Sequence, residues 1–568
     1  MAKAPEENPG PADAVADEAA RHTLALNPMV GLRSRDLVDA AQTVFKAAIT
    51  QPEIAIKQWF SFVGDLAKVV AGESARATEP GDKRFNDPAW KTSPLHQRLL
   101  QSYLAWGNAV HAFVDKVDLD DQERARAKLV SDILVDALAP TNGLVSNPAA
   151  LKKLIDTGGE SLWSGLKNYL EDLVRNGGMP SQVDAKPFQV GKNVATTPGA
   201  VVFRTEVFEL IQYKPVTAEV FSRPLLIIPP QINKFYSLDL SPDKSMIQFL
   251  LREGVHVFCI SWRNPTAAQH DWGLDTYVEA VDEAVDAVRD IAASEDVSLF
   301  GACSGGITSS AYSAWQAARG QSKIKNLVLA VCTLDPSTAE DTVLGALITP
   351  QTVEAARQAS RIRGVLEGRD LAKVFAWLRP NDLIWNYWVN NYLLGNAPPA
   401  FDILFWNSDT TSLPARLHSD FLDLIELSPF RNPGALTVSG TPVDMRKVKV
   451  DAYVVAGTTD HITPWKSVYQ TARILGDETT FILSNAGHLQ SLLNPPGNPK
   501  ATFVTGPSNL PDPEAFAASA TKQSGSWWTH WSGWLSTRSG EKVPAPSKLG
   551  NEQFPPREAA PGTYVFNA

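Results

Sequence analysis

The chain has 568 residues, 44% hydrophobic and 20% charged, so it is long enough for several folded units and is not wholly disordered. Asp and Glu number 62 against 52 Lys and Arg, and this net charge of −10 argues against nucleic-acid binding, which needs a cationic surface. Three scattered cysteines, Cys259, Cys303 and Cys332, exclude a disulfide framework or a zinc site and fit a reducing cytoplasm.

The first part of the chain is predicted to be a tail followed by helices. Residues 1–25 are acidic and rich in Pro and Ala, without the apolar core of a secretory signal, so we expect a solvated tail. Across residues 26–200, apolar residues recur at helical spacing, most clearly in two stripes at 54–70 and 99–117. These stripes are expected to pack against one another or the main domain; the alternative is a surface for a partner chain or a hydrophobic particle. No apolar run is long enough to span a bilayer.

Residues 201–568 are predicted to form an α/β domain, because short apolar runs alternate there with helical patterns. The predicted strands are residues 225–228, 255–260, 297–300, 327–331, 453–456 and 481–483. A crossover helix is predicted between the second and third strands. The long interval between the fourth and fifth strands predicts an inserted cap at about 335–445, because a loop of that length without its own structure is uncommon.

The sharpest motif is Gly301-Ala302-Cys303-Ser304-Gly305-Gly306, directly after the third predicted strand and before a predicted helix. A strand, a tight glycine-rich turn and a helix are the context of a nucleophile elbow, here with cysteine in place of serine. The backbone N–H of Ser304 is then expected to point at a developing oxyanion. The alternative is that Cys303 is a small buried thiol, as Cys259 and Cys332 are expected to be within apolar strands.

An elbow of this kind needs an acid and then a histidine later in the chain, each just past a strand. Asp460 follows the strand at 453–456, and His488 follows the strand at 481–483. Asp460 could instead cap a helix, and His488 could be an ordinary loop histidine. His461 competes for the role of base but adjoins Asp460 and would have to fold back. A thiolate nucleophile under a hydrophobic cap favours acyl exchange between thioesters over hydrolysis.

Further motifs follow one another in a fixed order from about residue 90 to the C-terminus. They are Gly158-Gly159-Glu160-Ser161-Leu162, Gly191-Lys192-Asn193-Val194-Ala195, Gln212-Tyr213-Lys214-Pro215, Pro229-Pro230-Gln231-Ile232-Asn233-Lys234-Phe235-Tyr236, Ser261-Trp262-Arg263-Asn264-Pro265, Arg379-Pro380-Asn381-Asp382-Leu383-Ile384-Trp385-Asn386, Phe405-Trp406-Asn407, Gly487-His488 and Asn494-Pro495-Pro496. Together with the elbow, these motifs closely resemble those of the polyhydroxyalkanoate synthases.

The resemblance implies an α/β-hydrolase fold and an acyltransferase that polymerises (R)-3-hydroxyacyl-CoA into polyester with release of CoA. It implies a Cys303–His488–Asp460 triad with an acyl-cysteine intermediate, and neither metal nor cofactor. Asp460 is expected to orient His488 or to help deprotonate the 3-hydroxyl of the incoming unit. By fold analogy, a second oxyanion donor is expected from the backbone near Ile232. The alternative function is a hydrolase on the same fold, either a thioesterase or a polyester depolymerase.

Finer features of the resemblance concern the monomer and the partners. The elbow and the residues around His488 are similar to the single-chain, medium-chain-length (class II) type, and Gln490 and Cys332 fall where its chain-length determinants lie. A small polar residue is more usual at Cys332, which leaves the exact preference open. The resemblance also implies a cytoplasmic enzyme on polyester granules, with granule-associated partner proteins and an active homodimer.

Tryptophans cluster in the predicted cap and near the C-terminus. They include Trp377, Trp385, Trp388 and Trp406 in the cap, and Trp527, Trp528, Trp531 and Trp534 in one C-terminal run. These indoles are expected to pack onto the core; the alternative is that they line a tunnel for a growing apolar polyester or contact its granule.

Overall fold

The computed structural model describes residues 34–79, 82–336, 350–370, 380–460 and 462–567. Three subjects of the sequence predictions therefore lie outside the described residues, namely the tail at 1–25, the competing base His461 and the cap residue Trp377. No described helix is both long enough and apolar enough to cross a membrane.

The N-terminal region is helical, as predicted. Its helices are α1 (Ser34–Thr50), α2 (Pro52–Ala71), α3 (Ala89–Thr92), α4 (Pro94–Lys116), α5 (Asp121–Ala137), α6 (Pro148–Asp156) and α7 (Glu160–Arg175). Pro52, Pro94 and Pro148 each begin a helix, at a position where no backbone N–H is needed. The side chain of Asp120 caps α5 by accepting a hydrogen bond from the amide of Glu123 at 2.7 Å.

The two predicted apolar stripes differ in their burial. In α4 the stripe is largely covered, and its Tyr103 packs on Phe85 with ring centroids 6.0 Å apart. For α2 the expectation of burial is wrong, because Trp59 and Phe60 are 62% and 69% exposed. This helix packs on α4 through a different side, which buries Val69.

The second half of the chain is built around β-strands. They are β1 (Gly199–Arg204), β2 (Phe208–Tyr213), β3 (Glu219–Phe221), β4 (Leu225–Ile228), β5 (Val257–Trp262), β6 (Val297–Ala302), β7 (Ile324–Ala330), β8 (Val365–Leu366), β9 (Leu413–Pro414), β10 (Thr437–Val438), β11 (Thr441–Pro442), β12 (Asp451–Gly457), β13 (Thr480–Ser484), β14 (Thr502–Thr505), β15 (Thr521–Ser524) and β16 (Lys542–Pro544). Ten of them form one sheet in the order β1-β2-β5-β4-β6-β7-β12-β13-β14-β15.

The six central strands of this sheet are the six that were predicted, and adjacent pairs among them run parallel. Four further strands were not predicted: β1 and β2 at one edge, and β14 and β15 at the other, all pairing antiparallel. Polar residues interrupt the apolar pattern in β2, β14 and β15, for example Glu209 and Gln212 in β2, whereas β1 contains the short apolar run 200–203. The predicted α/β architecture is nevertheless confirmed.

Helices lie on both faces of the sheet and in the cap. The helices of this half of the chain are α8 (Met246–Arg252), α9 (Leu274–Ala292), α10 (Ser304–Ala318), α11 (Pro350–Arg363), α12 (Asp402–Ser408), α13 (Ala415–Leu427), α14 (Trp465–Leu475), α15 (His488–Leu492), α16 (Pro513–Ser519) and α17 (Trp527–Ser536). The predicted crossover helix is α9. Successive residues of β4 enter opposite cores, Leu226 with Phe258 on one side and Leu225 with Val257 on the other, so both sheet faces are buried.

The described part of the cap lies between β7 and β12. It contains α11, α12, α13 and two π-helical segments, Asn381–Trp385 and Trp388–Leu393. Two of its indoles hold it to the rest of the chain: Trp388 donates to the carbonyl of Asn142 at 3.1 Å, and Trp406 to that of Lys234 at 2.7 Å. These tryptophans therefore pack within the protein, as expected.

Candidate active site

Cys303 lies at the turn between β6 and α10, with φ 49° and ψ −121°. A side chain other than glycine rarely adopts a positive φ, and such strain costs about 1–3 kcal/mol, which the surrounding structure must offset. Part of that support is the amide of Cys303, which donates to the carbonyl of Ala330 on the neighbouring strand at 2.9 Å. The turn leaves the Cys303 side chain partly exposed at the carboxyl edge of the sheet.

The elbow glycines are required by close backbone approach. A Cβ on Gly305 would lie 2.2 Å from the carbonyl oxygen of Ile228 and 2.6 Å from that of Pro229. A Cβ on Gly306 would lie 2.7 Å from the sulfur of Cys332. The tight packing of α10 on the neighbouring strands therefore leaves no room for side chains at these two positions, as the motif predicts.

We expect Gly305→Ala to destabilise the protein by about 1–3 kcal/mol, the usual cost of forcing a group into a packed interior. The matched control is Gly533→Ala in α17, because a Cβ there meets no atom within 4 Å and alanine is the better helix former. Thermal unfolding of both variants tests this. An unchanged melting temperature for Gly305→Ala would contradict the packing argument.

His488 and Asp460 are hydrogen-bonded, with Nδ1 of the imidazole 2.8 Å from Oδ2 of the carboxylate. Both side chains are buried. His488 is the first residue of α15. The indoles of Trp527 and Trp528 bind this helix by donating to the carbonyls of Ser491 and Leu492, at 2.6 and 3.1 Å respectively. The C-terminal tryptophans thus pack on the core, as expected, and support the helix that carries His488.

Asp460 and Cys303 both shift the pKa of His488. Burial by itself lowers this pKa, but the charge and hydrogen bond of Asp460, together with the neighbouring Cys303, raise it to about 10. Because Nδ1 is bonded to Asp460, Nε2 is the nitrogen that faces the thiol. The structure therefore joins His488 to Asp460 by a hydrogen bond and places Cys303 close enough to act electrostatically on the imidazole.

The carboxylate of Asp460 accepts four hydrogen bonds. Its Oδ1 accepts from the backbone amides of Ile462 and Thr463, both at 2.9 Å, and its Oδ2 accepts from the hydroxyl of Thr463 at 2.7 Å as well as from His488. The alternative that Asp460 caps the next helix is wrong, because α14 begins after Pro464 without a side-chain cap. The hydrogen bonds from Ile462 and Thr463 therefore fix the carboxylate in the position from which it accepts a hydrogen bond from His488.

Thr463 is a polar neighbour of the site that the sequence did not reveal. Its hydroxyl donates to Asp460 and also lies 3.2 Å from Nδ1 of His488. The signal in the sequence is weak, since a threonine three residues after an aspartate is common in turns. Thr463 is thus a positioning residue for the Asp460–His488 pair.

We expect Thr463→Val to lower kcat about tenfold, the effect of losing one hydrogen bond to a charged group. Thr463→Ser keeps the hydroxyl and should restore most of the rate. Steady-state kinetics across a pH range test this, because loss of positioning also shifts the pH profile, whereas a purely structural role leaves its shape unchanged. Equal rates for the Val and Ser variants would contradict a role for the hydroxyl.

The two predicted oxyanion donors lie on either side of the elbow. Ser304 is the first residue of α10, so its amide lacks a partner within the helix. The amide of Gln231 is already used, since it donates to the Ser304 hydroxyl at 3.1 Å, and the amide of Ile232 is the next along that loop. Neither the amide of Ser304 nor that of Ile232 donates to another described backbone group outside the regular elements.

The two candidate specificity residues have different surroundings. Cys332 is fully buried against Gly306, and burial together with the charge of Cys303 raises the pKa of its thiol well above the usual value. Gln490 is half-buried on α15, two residues after His488. Cys332 can therefore influence the site through the packing of the elbow, whereas Gln490 lies on the helix that begins with the histidine.

Comparisons with known proteins agree with one another. Residues 81–250 match the family described as poly-beta-hydroxybutyrate polymerase (PhaC) N-terminus, and residues 224–495 match the alpha/beta hydrolase fold. Over 553 residues the chain is 52% identical to Poly(3-hydroxyalkanoate) polymerase 1 of Ectopseudomonas oleovorans, covering 97% of this chain and 98% of that one. It is 47% identical over 541 residues to Poly(3-hydroxyalkanoate) polymerase 2 of the same organism, covering 95% and 96%.

Among solved structures, a monoacylglycerol lipase from Paleococcus ferrophilus aligns with a TM-score of 0.31 and 15% identity, over 50% of this chain and 90% of the lipase. The two family matches together span most of the described residues, and both relatives are matched over nearly their whole length. The resemblance and the fold predicted from the sequence are confirmed. The chain belongs to the poly(3-hydroxyalkanoate) polymerase family and has the alpha/beta hydrolase fold.

Proposed function

We propose that this polymerase joins (R)-3-hydroxyacyl groups, supplied as CoA thioesters, into a polyester through an acyl intermediate on Cys303. The observation that carries the proposal is the hydrogen-bonded pair of His488 and Asp460 beside Cys303, which lies on its strained turn at the carboxyl edge of the sheet. A thiolate is a strong nucleophile and a good leaving group, so it can both accept an acyl group and pass it on. This makes the enzyme an acyltransferase.

In the first half of the reaction, Cys303 takes the acyl group. Nε2 of His488 holds the proton of the Cys303 thiol, as its raised pKa allows, while the sulfur attacks the thioester carbonyl. The amides of Ser304 and Ile232 stabilise the resulting oxyanion. When the tetrahedral intermediate collapses, the bond to the CoA sulfur breaks, and His488 returns the proton to the leaving thiolate. The products are acyl-Cys303 and free CoA.

In the second half, a 3-hydroxyl group attacks the acyl intermediate, whereas in a hydrolase water would attack it. His488 removes the hydroxyl proton of an incoming hydroxyacyl unit, and the oxygen attacks the carbonyl of acyl-Cys303. An ester bond forms, the carbon–sulfur bond breaks and the thiol regains its proton from His488. Because the carboxylate of Asp460 already accepts four hydrogen bonds, we assign it to orienting His488 and not to direct contact with the substrate hydroxyl.

Incubating the purified enzyme with (R)-3-hydroxyacyl-CoA tests this function. We expect free CoA together with insoluble polyester, and an acyl adduct on the Cys303 peptide in mass spectra after rapid quenching. Release of CoA with only soluble 3-hydroxy acid would favour a hydrolase on the same fold. That alternative gains no support from the relatives, whose names describe polymerases.

We further propose that the monomers carry medium-length side chains. Identity to the two Ectopseudomonas oleovorans polymerases is 52% and 47%, against 39% to the polymerase subunit of Cupriavidus necator. Polymer made in a synthase-free host fed mixed precursors should then contain mainly medium-length units. A polymer of C4 units alone would contradict this. Association with granules and their proteins and activity as a homodimer remain predictions from the resemblance.

A further inference from the structure

A cavity of about 690 Å³ lies where the N-terminal region, the loop at Ile232 and the cap meet. One wall comes from α7 and the chain that follows it, including Arg175 and Lys186. A second wall is Ile232 with Asn233, and a third comes from the cap, including Arg369 and Asn407. The volume is in the range of cavities that hold cofactor-sized ligands.

The cavity adjoins the loop that packs beside the nucleophile. Ile232, which lines it, is the second proposed oxyanion donor, and the preceding residue Gln231 is bonded to Ser304 next to the nucleophile. Asn233 is paired with Thr410 of the cap in an isolated bridge. A ligand whose reactive end reaches Cys303 can therefore extend its remaining length into this space.

The walls are held in place by bonds between the N-terminal region and the cap. The side chain of Asn391 donates to the carbonyl of Ser181 at 2.7 Å, and that of Gln182 donates to the carbonyl of Leu383 at 2.9 Å. On α7, Gly165 approaches the backbone of Tyr392 so closely that a Cβ would lie 1.9 Å from its carbonyl oxygen. The N-terminal region is thus a fixed wall of the cavity.

The charges on these walls favour an anion. Arg175, Lys186 and Arg369 are exposed, and none of them forms an ion pair with the carboxylates of the described residues. Two carboxylates, Glu171 and Asp184, also line the cavity. With three positive and two negative groups, the net charge of the lining is +1, whereas the net charge of the whole chain is −10. Unpaired guanidinium groups are suited to phosphate oxygens because they can bind two of them at once.

The polar groups deeper in the cavity suit the amide-rich arm of a thioester carrier. The carboxamides of Asn233 and Asn407 line the wall and form no hydrogen bond with another side chain of the described residues, so they can pair with amides of a ligand. Met179, Val183 and Ile232 add apolar surface between them. The arrangement runs from an apolar and amide-bearing interior to cationic groups at the rim.

We propose that this cavity binds the carrier portion of the CoA thioester, with Arg175, Lys186 and Arg369 contacting its phosphates. The N-terminal region then forms part of the substrate site and does more than support the fold. The proposal rests on the proposed use of CoA thioesters and adds the residues that recognise the carrier.

The test compares two substrates that share an acyl group, the full CoA thioester and the same acyl group on N-acetylcysteamine, which has no phosphates. For Arg175→Ala, Lys186→Ala and Arg369→Ala, we expect KM for the CoA substrate to rise about 3- to 10-fold per variant, with kcat unchanged. KM for the phosphate-free substrate should stay at the wild-type value. The matched control is Lys167→Ala, an exposed cation on α7 that does not line the cavity.

Two results would overturn the proposal. One is an unchanged KM for CoA thioester in all three cavity variants and in the triple variant. The other is an equal rise in KM for both substrates, which would mean that the substitutions disturb the site in general. Failure of the proposed function itself looks different, since wild-type enzyme would then form no polymer from either substrate. Binding of adenosine 3′,5′-bisphosphate, measured by titration calorimetry and expected to be weaker in the triple variant, is the readout independent of turnover.

Discussion

Cys303→Ser is expected to keep the fold and to lose polymerisation by roughly 10³-fold or more. Serine fits the strained turn, because it is no larger than cysteine and the amide bond to Ala330 is unaffected. The loss is chemical: a hydroxyl has a far higher pKa than a thiol, is a weaker nucleophile toward thioesters, and forms an ester that is a poorer acyl donor to the next hydroxyl. Initial rates of CoA release and polymer yield measure the effect.

The matched control for this substitution is Cys259→Ser. Cys259 is fully buried on β5, away from the elbow, and its thiol donates to the carbonyl of Ile260 at 3.4 Å. We expect this variant to polymerise at close to the wild-type rate, while melting curves show whether each variant is folded. If Cys303→Ser polymerised at a rate comparable to that of Cys259→Ser, covalent thiol catalysis would be wrong.

Asp460→Asn is expected to lower kcat on the order of 10³- to 10⁴-fold, with a smaller effect on binding. The direction of the new amide is determined by its neighbours. Because the amides of Ile462 and Thr463 both donate to Oδ1, the carbonyl oxygen of asparagine will occupy that place and its NH₂ will face His488. Nδ1 must then accept instead of donate, so the proton moves to Nε2, which can no longer take a proton from Cys303.

The control for Asp460→Asn is Asp477→Asn, which changes an aspartate that is 71% exposed and forms an ion pair with Arg473. We expect no change in kcat for this control, since it lies outside the site. Single-turnover acylation followed by mass spectrometry tests the first half of the reaction separately. Normal acylation of Cys303 in Asp460→Asn would show that the carboxylate is not needed to orient the base.

The raised pKa of His488 also predicts how the Asp460 contact contributes to stability. The pKa is about 10 in the folded protein against an ordinary value of 6.5, so the contribution is complete below about pH 6.5 and is lost as the pH rises toward 10. The difference in melting temperature between the wild type and Asp460→Asn should therefore shrink between pH 6.5 and 10. A difference that is constant over this range would contradict the assignment.

Much of the site could be predicted from the sequence because each of its three residues lies in a recognisable local context, just after an apolar strand. The elbow is a contiguous motif, and its glycines are needed wherever a helix packs so closely on a strand. Asp460 and His488 each follow an apolar strand, and parallel strands place their carboxyl ends at one edge. The six central strands were readable for the same reason, since burial on both faces makes them continuous apolar runs.

Features that depend on distant parts of the chain were decided by the tertiary structure alone. The outer strands β2, β14 and β15 carry polar residues that hide them in the sequence, and they are revealed by their antiparallel pairing with neighbouring strands. The stripe of α2 has the same periodicity as that of α4, yet it stays exposed because nothing in the described chain covers it. Thr463 becomes a positioning residue only when its turn places the hydroxyl between Asp460 and His488.

The sequence by itself determined the chemistry: a cysteine on a strained turn, with a histidine and an aspartate after later strands, is readable from order and spacing. Only the tertiary structure decided what surrounds that chemistry. The contact between the N-terminal region and the cap brings Arg175 and Arg369, 194 residues apart in the numbering, to one cavity. The physical reason is that spacing along the chain reports local geometry, whereas a binding cavity is made by side chains that meet only after the elements have packed.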